Sequence, residues 1–108
     1  MNIKVLKEAF RELQIEGFPK NSMNSELSTM HSEIIEFDGY VAGIAQSIIK
    51  GSKINSTKLN FNNNFKTSLD NLLVKHKYDE ELNAEISKYM KYLGKLENLI
   101  NVIVEILK

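Results

Sequence analysis

Residues 23–48, MNSELSTMHSEIIEFDGYVAGIAQSI, and residues 82–107, LNAEISKYMKYLGKLENLINVIVEIL, decide the fold. In the first, Met23, Leu27, Met30, Ile34, Phe37, Val41, Ile44 and Ile48 follow one another at alternating intervals of four and three. In the second, Leu82, Ile86, Tyr89, Leu93, Leu96, Ile100, Ile103 and Leu107 do the same. An α-helix turns once per 3.6 residues, so this spacing keeps every member on one face and writes a buried seam. Ile35, Ala42, Ala45 and Ile49 widen the first stripe beyond a two-stranded seam, which points to a bundle with more than one neighbour. The pattern predicts an all-α bundle with two long antiparallel helices over about 22–50 and 79–107, each roughly 40 Å long.

Two shorter helices fit around them. Ile3, Leu6, Phe10 and Leu13 line one face of a helix over about 2–15, which Gly17 and Pro19 stop, with Phe18 stapling the turn. Residues 52–64, SKINSTKLNFNNN, are polar, Asn-rich and aperiodic and read as a loop. Phe65, Leu69, Leu72 and Leu73 then mark a helix over about 64–76, capped by Asn63 or Asn64, and Asp79 with Glu80 and Glu81 opens the last helix. At 108 residues, 43% hydrophobic and 26% charged, the chain is one ordinary globular domain, 1–108, rather than a disordered segment.

Composition removes several function classes. Fourteen basic residues balance fourteen acidic ones, and Arg11 is the only arginine, so neither a positive field nor bidentate donors favour nucleic acid. No cysteine is present, which excludes disulfides, thiolate metal sites and cysteine nucleophiles and suits a reducing cytoplasm. The opening MNIKVLKEAFRELQIEG is charged every few residues, unlike a secretory signal, and no apolar run is long enough for a membrane span. The abundance of Lys, Asn and Ile fits an AT-rich coding genome of the bacterial or phage kind. His31 and His76 lack the partners of a triad or zinc site and read as surface residues, and no Gly-rich phosphate loop or nucleophile elbow occurs. No cofactor is implied.

Carboxylates offer the one catalytic alternative. Glu33 and Glu36 lie one turn apart on the second helix, and Glu81 and Glu85 lie near the start of the fourth, so together they would hold Mg²⁺ if the helices brought them together. The stretch MHSEIIEF resembles the first metal-binding helix of the MazG-like all-α nucleotide pyrophosphohydrolases, whose pattern is a Glu-x-x-Glu followed by a later Glu-x-x-Asp. Glu33 and Glu36 match the first half. Glu81-Leu-Asn-Ala-Glu85 departs from the second in spacing, and the family's basic phosphate-binding residues have no counterpart.

The glycines of Gly39-Tyr-Val-Ala-Gly43 stand mid-helix, where each costs about 1 kcal/mol relative to alanine. Two arrangements would offset that: another helix backbone packed on Gly39, Ala42 and Gly43, or a shallow groove rimmed by Asp38 and Tyr40 that receives a partner protein. At the other end, LINVIVEIL is apolar nearly all round, so Val102 and Ile106 must be covered by the first helix or by a second copy in a two-fold homodimer. With chemistry absent and surface abundant, the expected function is protein binding, of the immunity-factor, secretion-partner or phage-encoded-inhibitor type.

Overall fold

The computed structural model describes residues 2–52 and 64–108, and most of the 52–64 loop therefore lies outside the described residues. Four helices appear: α1 (Ile3–Glu16), α2 (Ser25–Ile49), α3 (Asn64–Lys75) and α4 (Glu80–Leu107), with no strand among the described residues. The all-α bundle predicted from the heptad spacing is the observed fold, 47 Å in its longest dimension.

Capping sets the helix starts. Asn2, Asn24 and Asp79 each accept a hydrogen bond from the backbone N–H three residues on, those of Val5, Leu27 and Leu82, satisfying donors that a helix start leaves free. Asn24 therefore starts α2 three residues later than the spacing suggested. Met23, expected as the first seam residue, precedes the helix and is fully exposed. Asn64 is the first residue of α3 itself. Gly17 ends α1 with φ at 73°, a left-handed conformation that glycine adopts without a Cβ clash, and its N–H donates to the Leu13 carbonyl.

The seams bury as their spacing requires. Leu27, Ile34, Val41, Ile44 and Ile48 of α2 and Leu82, Ile86, Tyr89, Leu93, Leu96, Ile100 and Ile103 of α4 form one core with Leu6, Ala9, Phe10 and Leu13 of α1 and Phe65, Leu69 and Leu72 of α3. Leu107, the last residue of the second seam, is exposed.

Helix direction differs from the expectation. Ser22 meets Glu85, His31 meets Tyr89 and Asp38 meets Tyr92, so residue numbers ascend together and α2 and α4 run parallel. α1 runs against α4, with Glu16 beside Lys91 and Glu12 beside Lys95, and α3 runs against both long helices, with Lys66 beside Glu97 and Lys75 beside Glu26. Connections too short to cross the bundle reverse direction at α1–α2 and α3–α4, and alternate helices of such an up-down array share a direction. The most extensive packing is between α1 and α4, not between the two long helices. α1 thereby supplies the cover that the apolar end of α4 needs: Leu99 and Ile100 are buried, and Val102, Val104 and Ile106 are partly buried against the core.

Candidate functional site

The outward face of α2 differs from the rest of the surface. From Ser25 to Ile49 the helix carries Glu26, Glu33, Glu36 and Asp38 and not one Lys or Arg, in a chain of zero formal charge. Gly39, Tyr40 and Gly43 are all exposed. Among the described residues, a Cβ built on Gly39 or Gly43 would meet nothing within 4 Å, so none of the four helices packs its backbone there. Of the two arrangements that would offset these glycines, close packing by another helix is absent among the described residues. Tyr40, 52% exposed, and Ile35, 47% exposed, leave apolar surface beside them.

Asp38 belongs to the interior edge of this helix rather than to a groove rim. Its Oδ1 accepts a 2.6 Å hydrogen bond from the Tyr92 hydroxyl. Burial raises the Asp38 carboxyl above its usual range, and the Tyr92 hydrogen bond pulls the other way without cancelling it. Tyr92 is in turn pushed well above an ordinary phenol, first by burial and then by the hydrogen bond and charge of Asp38.

Beside it lies a polar cluster that the sequence pattern did not reveal. Tyr89 is buried in the α4 seam, yet its hydroxyl donates to the Lys20 carbonyl at 3.1 Å and meets His31 Nδ1. A phenol has one proton, so with that proton on Lys20 the hydroxyl accepts from Nδ1–H of His31. Burial pushes the Tyr89 phenol up to about 12, with the Glu85 charge adding to it. Phe18 sits edge-on to His31 and Tyr92, with centroids 5.0 and 4.9 Å away. Ser22, itself buried, donates to Glu85 Oε2 at 2.6 Å. These contacts strap the 17–24 connection along α4. His31 is thus half-buried rather than a surface residue, and its position four after Leu27 and three before Ile34 was the available signal. His76 is also partly buried, its Nε2 3.8 Å from Glu26.

The carboxylate set does not assemble. Glu33, Glu36 and Glu81 are exposed, Glu85 is engaged by Ser22, and no three His, Cys, Asp or Glu side chains among the described residues form a group that would hold a metal ion. The parallel sense of α2 and α4 brings Glu85 to Ser22 instead, ahead of the helix that bears Glu33 and Glu36.

Val102 and Ile106 line a shallow depression of about 650 Å³ with Asn2, Val5, Asn101, Glu105 and Lys108, where α1 begins and α4 ends. It lies at the far end of α4 from the strapped connection. No described helix is long and apolar enough to cross a membrane.

Comparison of the chain with protein-family models, with curated proteins and with solved structures finds no match.

Proposed function

We propose that this chain is a small non-enzymatic, cytoplasmic protein-binding bundle, of the immunity-factor, secretion-partner or phage-encoded-inhibitor type, that engages its partner through the outer face of α2. The observation that carries the reading is the open glycine pair. Gly39 and Gly43 weaken the middle of a long helix, and none of the described residues occupies the space they leave. An approaching helix or strand gains close access to the α2 backbone there, with Tyr40 and Ile35 as apolar anchors and Glu33 and Glu36 as charged flanks. The depression at Val102 and Ile106 supports a second contact surface, including a two-fold homodimer through that end.

Affinity capture from the native host, read by mass spectrometry, tests the choice. A protein retained by wild type and by Val102→Lys/Ile106→Lys, but lost with Gly39→Leu/Gly43→Leu at unchanged helicity, is the expected result. Retention by the leucine variant and loss with the lysine variant would move the site to the α1–α4 end.

A further inference from the structure

The exposed side of α2 carries a second four-three repeat. Glu33, Glu36, Tyr40, Gly43, Ser47 and Lys50 follow at intervals of three, four, three, four and three, about a third of a turn round from the buried seam, and span about 25 Å of helix. Five of the six are exposed and Ser47 is half-buried. Their order is self-complementary about a point between Tyr40 and Gly43. Reversed end to end, the stripe sets Glu33 opposite Lys50, Glu36 opposite Ser47, and the Tyr40 ring opposite the bare Gly43.

The electrostatics follow the same division. Among the described residues neither Glu33 nor Glu36 has an ion-pair partner. Lys50, just past the end of α2, shares a depression of about 320 Å³ with Lys7 and Arg11, over Phe10 and Ile49, and no carboxylate lines it. One end of the stripe is acidic and the other basic, and among the described residues neither end is neutralised.

We propose that the occupant of this face is a second copy of the chain, its α2 antiparallel to the first, crossing at Tyr40 and Gly43. A two-fold axis makes each contact occur twice, so residue i meets j and j meets i, which is the condition the 33/50, 36/47 and 40/43 pairing fulfils. Gly43 admits the Tyr40 ring of the other copy. Each Glu33 and Glu36 comes to the Lys50, Lys7 and Arg11 cluster of the other, fixing the antiparallel register and disfavouring the parallel one, which would stack like charges. The inference rests on reading the α2 face as the contact surface and names what fills it.

Sedimentation equilibrium over a concentration series tests it, with circular dichroism confirming that each variant is folded. Wild type should show a reversible monomer–dimer equilibrium built from the 12.4 kDa chain, weakening as salt rises. Glu33→Lys or Lys50→Glu alone should weaken the dimer about tenfold or more, and the two together should restore most of the loss. Gly43→Leu should abolish it. A wild type that stays monomeric to near-millimolar concentration overturns the proposal, and so does a dimer indifferent to these changes. If the monomer nonetheless captures a host protein that Gly43→Leu fails to capture, the α2 contact face stands and only the second copy falls. If neither association depends on Gly43, both readings fall together.

Discussion

One hydroxyl on Tyr89 holds two parts of the chain, accepting from His31 on α2 and donating to the Lys20 carbonyl of the α1–α2 connection. Tyr89→Phe leaves the ring in place and strips both partners, so it should cost about 1–2 kcal/mol, read as a lower urea midpoint at unchanged slope. Asp38 shows the opposite effect. Its folded carboxyl titrates above the unfolded one because burial disfavours the charge. The folded state therefore holds more protons between the two values, and stability falls as pH rises through that window. Asp38→Asn should remove this slope: its advantage over wild type is full above the raised folded value and disappears as pH drops through the ordinary carboxylate range. Melting curves from acid to neutral pH check it. None of these partners is adjacent in sequence. His31 to Tyr89 and Asp38 to Tyr92 are contacts set by which helix lies beside which, so their polar ties were not legible from spacing alone.

At the scale of a helix, the seams explain themselves by burial. Ile34 and Leu93 are both fully buried at mid-helix. Ile34→Asp or Leu93→Asp buries a charge without a partner and should unfold the chain, seen as lost helical circular dichroism. The outer face behaves differently. With open space above Gly39 and Gly43, either glycine replaced by alanine should raise stability by about 0.5–1 kcal/mol and lift the melting temperature, since the helix gains propensity and nothing clashes. A drop at a concentration where the chain is monomeric would mean that the glycines serve packing within the fold. The spacing made the helices and their buried faces readable because period 3.6 is a local property. Met23 fits the same arithmetic yet lies outside the helix, since the Asn24 side chain caps one residue later and ends the reach of the periodicity.

For the whole molecule, the direction of the helices determines what can meet. Two matching seams suggested an antiparallel pair, but heptads in separate helices carry no sign of direction. The chain's path sets it: α2 and α4 run parallel to each other, and α1 and α3 run the opposite way. This arrangement lays α1 along the apolar end of α4, keeps Glu85 with Ser22 instead of with Glu33 and Glu36, and leaves the outer stripe of α2 uncovered by the described residues. The exposed glycine surface was visible as a pair of odd residues in the sequence, whereas whether another helix of the chain covered it depended on topology. A photo-reactive amino acid placed at Tyr40, and separately at Ile106, compares the two candidate surfaces directly. Irradiation at working concentration should yield a covalent adduct from position 40, whether to a second copy or to another protein, and little from position 106. Efficient adducts from 106 with none from 40 would contradict the α2 face as the surface through which this protein acts.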